Sequence, residues 1–229
     1  MSPGLSLTLS AIAFAACVPS PCHAEEQPDY LQAPPESLQW FRDAKFGVFV
    51  CWGPCSIAKG EIGWSRNGPR PGIGDAGGGV PLEVYDNLYK QFNPTEFDAK
   101  AWAQLVKDAG ARYVIFLTKH HDGFCLFDAT GTEYDIMSTP LKRDVTAELA
   151  KACHDAGIRI FWYYSQPNWH HPDYRTERHG SYVSYLHNQI RELCTNYGRI
   201  DGIWFDGLGG KSEDWNTPEL FRMIRTLQP

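Results

Sequence analysis

The feature that most constrains this chain is a unit that recurs along it: a short unbroken apolar run, then an amphipathic stretch that ends at glycine. The apolar runs are Phe46 to Val50, Tyr113 to Leu117, Ile158 to Tyr163 and Gly202 to Phe205. Runs of this length bounded by turn residues predict strands buried on both faces. Between them, Phe97 to Ala109 carries Trp102, Leu105, Val106 and Ala109 at helical spacing, and Val145 to Ala156 and Tyr182 to Tyr197 behave alike. Gly110, Gly157 and Gly198 end these stretches, where a left-handed cap favours glycine. The next strand begins within a few residues, and the order β-α-β-α-β-α-β predicts a parallel sheet.

Two parallel architectures compete. A doubly wound sheet that binds dinucleotides wants a glycine-rich turn after its first strand and an acid about 20 residues later. Here the first strand runs into Cys51-Trp52-Gly53-Pro54, which has no such fingerprint. Polar and aromatic residues gather instead after the C-terminal end of every strand: Trp52, Lys119-His120-His121-Asp122, Tyr164-Ser165 and Asp206. Barrel enzymes collect their chemistry on that face from several strands at once. The expected fold is therefore α/β, the first four units of a TIM-like (β/α)8 barrel, with an open sheet as the competing reading. Asn216-Thr217-Pro218-Glu219 predicts the cap and first turn of a fourth helix running to Leu227. Gln228-Pro229 stands where a fifth strand is expected, and four parallel strands cannot close a barrel. Residues 40–229 are accordingly expected to be the N-terminal half of a longer catalytic barrel, preceded by a leader over 25–39.

Leu5 to Val18 is apolar and too short to span a bilayer, and Cys22-His23-Ala24 offers a small-x-small cleavage site before Glu25. Residues 1–24 thus read as an export signal leading to secretion, a periplasm or a lysosome. Lipid attachment at Cys17 competes, although Phe14-Ala15-Ala16 matches poorly the residues that usually precede such a cysteine. Removing the signal leaves Cys51, Cys55, Cys125, Cys153 and Cys194, with no C-x-x-C spacing for a zinc knuckle or redox pair. Cys153 and Cys194 fall on apolar helix faces and read as small core residues. A net charge of −6 and the lack of any Lys/Arg run argue against nucleic acid as a partner.

Asp201-Gly202-Ile203-Trp204-Phe205-Asp206-Gly207 is the strongest local signal. Strand alternation puts Trp204 and Asp206 on one face. An acid that ends a buried strand beside a tryptophan is costly without a partner or a purpose. Adjacent histidines usually point apart, so His120 and His121 read as hydrogen-bonding groups lining a pocket rather than as metal ligands. Neither a metal nor a cofactor is expected. Asp144 precedes an apolar-periodic helix and reads as its cap. The segment from Ser56 to Pro94 is long for a connection and rich in glycine, which predicts a mobile loop in which Glu61, Trp64 and Arg66 could reach a ligand.

Taken together, these residues resemble the α-L-fucosidases of glycoside hydrolase family 29. The resemblance runs from about Trp40 to the end. It rests on Lys45-Phe46-Gly47-Val48-Phe49 with Trp52-Gly53, Glu61-Ile62-Gly63-Trp64, Thr118-Lys119-His120-His121-Asp122-Gly123-Phe124, Lys142-Arg143-Asp144, Tyr163-Tyr164-Ser165, and Tyr197-Gly198 leading to Trp204-Phe205-Asp206-Gly207. It implies retaining hydrolysis of terminal α-L-fucose from glycans or glycoconjugates. By the same resemblance Asp206 is the nucleophile. His120, His121 and Trp204 hold the sugar with Tyr164, for which Tyr163 is an adjacent candidate, and Glu61 and Trp64 are further pocket residues. The acid/base carboxylate is expected beyond Pro229, which would leave this polypeptide inactive by itself. Cys51 stands where the family usually has a sugar-contacting histidine. An inactive carbohydrate-binding relative is the competing function, and a metal-dependent hydrolase a distant third.

Overall fold

The computed structural model describes residues 28–75, 79–207 and 210–229. The expected export segment, residues 1–24, lies outside them. Helix α1 (Pro35–Ala44) precedes β1 (Gly47–Val50), and the short α2 (Leu82–Tyr85) and then α3 (Ala99–Asp108) lead to β2 (Tyr113–Lys119). Helix α4 (Val145–Ala156), β3 (Arg159–Ser165), α5 (His179–Thr195), β4 (Gly202–Asp206) and α6 (Thr217–Leu227) complete the order. All neighbouring strands pair in parallel, in the sheet order β1-β2-β3-β4. A doubly wound sheet would reverse its strand order part-way. The four described strands follow one another in sequential order with no such reversal.

The alternation of side chains follows. Trp162 and Tyr164 of β3 face the helices, where the Trp162 indole N–H donates to the Leu193 carbonyl (3.1 Å) and the Tyr164 hydroxyl to Gln189 Oε1 (2.7 Å). Phe205 of β4 meets Phe221 of α6 on the same side. The opposite face carries Phe49, Tyr163 and Trp204, with Phe49 edge-on to both other rings. At its lower end α1 covers this face, Phe41 packing on Tyr113 and Phe161. Gly47 and Gly202 make room there, since a Cβ on either would lie 2.3 Å from the Tyr113 or Phe161 ring. Higher up the face is open, with Phe49 43% and Trp204 52% exposed.

Asp144 caps α4 as expected, accepting the Ala147 N–H at 2.9 Å, and Gly157 ends that helix in the left-handed conformation. Asn216 departs from expectation. Its side chain reaches the Glu219 carboxylate and makes no cap bond to the backbone of α6. The described residues between Ser56 and Pro94 also depart from the expected mobile loop, of which Gly77 and Gly78 lie outside the described residues. Cys55, Tyr85 and Leu88 form a small buried cluster of their own, Arg66 bridges to Val80, and the Arg66 guanidinium is bidentate on Asp86 at 2.6 and 2.8 Å. The described glycines of this segment are overruled by these long-range contacts, which periodicity does not reveal. The five described cysteines are free thiols; Cys153 and Cys194 are buried and Cys51 is exposed. Among the described residues no helix is long and apolar enough to cross a membrane.

Candidate functional site

The site is assembled at the C-terminal ends of the strands, and its geometry starts from an irregularity in β2. Leu117 pairs with Tyr163, but Lys119 pairs with Tyr164, so one residue is inserted between them. A one-residue slip moves every later side chain to the other face. Lys119 therefore turns toward the helices. Its ammonium is buried, lies 4.4 Å from the Tyr164 ring centroid, and donates to the carbonyls of Ser165 (2.6 Å) and Pro167 (3.1 Å). Burial lowers its pKa to about 7, while those two carbonyls and the ring face favour the charged form. His120 comes round to the open face, where its ring lies parallel to Tyr163 at 5.7 Å and 8°.

His121 begins the turn after the strand, its ring centroid 4.3 Å from that of His120. Its Nε2 stands 3.5 Å from Asp206 Oδ2. The Tyr163 hydroxyl donates to the same carboxylate oxygen and lies 3.1 Å from Ser165 Oγ. The adjacent histidines thus converge on Asp206, contrary to the expected divergence, because the first follows directly on β2 and the second opens a turn. Burial, with lesser effects of His121 and Lys119, lowers His120 to about 2. Burial also lowers His121 to about 4, with Lys119 adding and Asp206 opposing. Both imidazoles are neutral at pH 7. Burial first and the hydrogen bond to Asp206 second raise the Tyr163 phenol, so it stays a hydrogen-bond donor.

Aromatic rings wall this cluster. Trp64 stands edge-on to His121 (5.5 Å) and to Trp169 (5.2 Å), and Trp169 tilts over His121 at 4.9 Å. The Arg70 guanidinium lies 5.2 and 5.3 Å from the Trp64 and Trp169 ring centroids and donates to the Trp64 carbonyl. A buried strut fixes the loop that carries Trp64. The Gly63 N–H donates to the Tyr85 hydroxyl (2.7 Å), which donates in turn to Asp122 Oδ2 (2.7 Å).

The residues expected at the site divide as follows. Asp206, His120, His121 and Trp64 come together, and Trp204 lies on the same face beside Phe49. Tyr164 does not. It is fully buried against α5, and strand alternation gives the position to Tyr163. Glu61 is exposed, and its carbonyl accepts the Ser65 N–H and hydroxyl at 3.0 and 2.6 Å. The Cys51 thiol is raised by partial burial and then by the Asp206 charge, which keeps it neutral. Trp169, Arg70 and Tyr85 escaped the sequence reading. Trp169 could have been found as an aromatic beyond the end of β3, whereas nothing local marks Tyr85.

Comparison with known proteins agrees with this arrangement. Residues 15–229 match the family described as Alpha-L-fucosidase. The chain is 32% identical to Alpha-L-fucosidase 1 of Arabidopsis thaliana over 97% of its own length and 40% of that protein's. It superposes on alpha-L-fucosidase isoenzyme 1 from Paenibacillus thiaminolyticus with a TM-score of 0.75 and 39% identity, covering 85% of this chain and 48% of that one. A Bacteroides thetaiotaomicron alpha-L-fucosidase of glycoside hydrolase family 29, solved as a trapped covalent intermediate with 2-fluoro-fucosyl fluoride, gives a TM-score of 0.74 at 35% identity, with 86% and 48% covered. The chain therefore spans less than half the length of each of these relatives. Extending over nearly the whole polypeptide, these matches, with a carboxylate, two neutral imidazoles and a tryptophan wall at the strand ends, make the chain a member of the α-L-fucosidase family, glycoside hydrolase family 29.

Proposed function

We propose that this chain is the N-terminal half of the catalytic barrel of a retaining exo-glycosidase that releases terminal α-L-fucose from glycans or glycoconjugates. The observation that carries the reading is Asp206, set at the end of β4 with one carboxylate oxygen held by Tyr163 and facing His121. In this reading Asp206 attacks the anomeric carbon and the bond to the leaving oxygen breaks, giving a glycosyl ester. A second carboxyl group, about 5–5.5 Å away, protonates that oxygen and later takes a proton from the water that attacks the ester. His120, His121 and Tyr163 hold the sugar hydroxyls, and Trp64 and Trp204 take its apolar edge. The covalent intermediate trapped in the Bacteroides relative supports the two-step course.

Of the acids that follow Asp206, Glu213 is exposed, Asp214 accepts the Lys211 N–H and Glu219 is engaged by Asn216. The relatives are about twice as long, which supports assigning the acid/base to a part of the fold outside these residues. The open aromatic face of the sheet supports the same assignment, as the inner wall of a barrel whose remaining units cover it. Export by cleavage before Glu25 belongs to this reading, and N-terminal sequencing of the mature protein tests it.

The test of function is hydrolysis of an aryl α-L-fucoside by the natural full-length protein, with 2-fluoro-fucosyl fluoride as a trap. Turnover by the wild type, its loss in Asp206→Asn, and a fluorofucosyl adduct on the peptide containing Asp206 are expected. Equal turnover by Asp206→Asn removes Asp206 as the nucleophile. Binding of fucose without turnover favours an inactive carbohydrate-binding relative, a reading to which Cys51 lends weight, since a neutral thiol replaces the family's histidine.

A further inference from the structure

The donor set around Asp206 fits a second kind of ligand. We propose that His120, His121 and Asp206 form a binding site for a borderline divalent transition metal, Zn(II) or Cu(II), which inhibits by occupying the carboxylate. One donor atom from each of the three side chains lies within 4.8 Å of the other two. The His121 Nε2 to Asp206 Oδ2 distance is already 3.5 Å. Metal bonds of roughly 2.0–2.2 Å place tetrahedral neighbours about 3.3 Å apart, so the third donor has about 1.5 Å or less to travel.

The rings are well prepared. His120 is 7% and His121 1% exposed, and Nδ1 of each is buried without a hydrogen bond to the protein. With no protein group holding a proton on Nδ1, either tautomer is accessible, and each ring can offer a lone pair to an ion. Two imidazoles and one carboxylate suit Zn(II) and Cu(II), whereas Mg(II) and Ca(II) seek oxygen donors. Asp206 is one-third exposed on the open side of the sheet, which leaves room for water to complete the coordination. An ion seated here forms a bond to the carboxylate that the proposed chemistry needs free. Sugar and metal then exclude each other. That exclusion rests on the proposed function, whereas the metal site itself does not.

The test is calorimetric titration of Zn(II) and of Cu(II) into the metal-free natural protein, with electron paramagnetic resonance of the Cu(II) form. One site is expected, tighter for Cu(II) than for Zn(II), with hyperfine splitting from two nitrogens. His121→Gln and Asp206→Asn should each weaken it at least about tenfold, a loss seen even when only an outer partner of a metal ligand is removed. Cys51→Ser should leave it unchanged. Loss of the site in Cys51→Ser, or a Cu(II) spectrum without nitrogen coupling in the wild type, overturns the assignment, and the spectrum does so whether or not the variants fold. L-fucose should raise the apparent Kd for the metal. An intact metal site that fucose leaves unaffected refutes the shared-site clause and counts against the fucosidase reading, without touching the metal ligands.

Discussion

Gly63→Ala tests how the loop from β1 shapes the site around His120 and Asp206. Gly63 has φ +67°, and a Cβ there would lie 2.5 Å from His120 Nδ1 and 3.1 Å from its Cε1. The added methyl therefore carries two costs. One is the left-handed backbone, about 1–2 kcal/mol for a residue with a side chain. The other is overpacking, because carbon normally stops about 3.5 Å from a neighbouring heavy atom and the ring must retreat by about 1 Å. Retreat is blocked by Tyr163, stacked parallel to His120, and by His121 beside it. Forcing such a shift costs about 1–3 kcal/mol more. Gly157→Ala is the matched control: φ is +73°, and a Cβ there meets nothing within 4 Å. Urea unfolding of the natural protein should show Gly157→Ala losing only the backbone cost and Gly63→Ala losing about 2–5 kcal/mol in total. Titration with L-fucose should show weaker binding for Gly63→Ala alone, since only that methyl displaces a ring of the proposed sugar site. Equal destabilisation by the two variants, with fucose affinity unchanged in both, would refute the claim that Gly63 abuts His120.

Tyr85→Phe removes the hydroxyl between Gly63 and Asp122, leaving a buried N–H and a buried carboxylate short of a partner. It should cost about 1–3 kcal/mol in urea unfolding and, through the loop carrying Trp64, raise KM more than it lowers kcat. Acid should weaken the fold through the histidine pair. Folded His121 and His120 hold pKa values of about 4 and about 2, below the unfolded value of about 6.5. The unfolded chain therefore binds more protons, and this stability is complete above about pH 6.5 and lost as pH falls through the folded values. For His121 the loss approaches about 3 kcal/mol near pH 4. Urea midpoints at pH 7 and pH 4.5 measure it, and His121→Gln should show a smaller drop than wild type; an equal drop would place the acid sensitivity elsewhere.

Much of the fold was legible because each strand is a continuous apolar run and each crossover helix ends near a glycine. The four strand runs agree with β1 to β4 within a residue or two, and Val145 to Ala156 is α4 to the residue. Asp206 and Trp204 were legible for a related reason, since strand alternation places them without knowledge of tertiary contacts. The order of the described residues between Ser56 and Pro94 is not legible in the sequence because it is non-local. Tyr85 reaches Asp122 and Arg66 reaches Asp86 across intervals that carry no periodicity. Tyr164 and Tyr163 are not separable in the sequence, because two adjacent tyrosines present the same chemistry to opposite faces. Only the phase of β3, fixed by Trp162 against α5, decides between them.

That phase leads back to the irregularity in β2. Had β2 stayed regular, Lys119 would share a face with Leu117 and enter the site, while His120 would point at the helices. The slip at Thr118 reverses both assignments. Thr118 remains held as it leaves the ladder: its hydroxyl donates to the Tyr163 carbonyl at 2.7 Å, and its own carbonyl accepts the Leu126 N–H at 2.8 Å. Two consequences follow from this one inserted residue. The imidazole ring is brought over Tyr163, next to the carboxylate at the end of β4. The ammonium is carried to the far side, where it ties down the carbonyls of Ser165 and Pro167 at the end of the strand that bears Tyr163. The cation that a regular strand would have turned toward the site face instead braces the backbone from behind, and the donors that Tyr163 and His121 present to Asp206 are neutral. The part proposed for Asp206, a nucleophile, suits a carboxylate that faces neutral donors from Tyr163 and His121, and the irregularity in the ladder produces that setting.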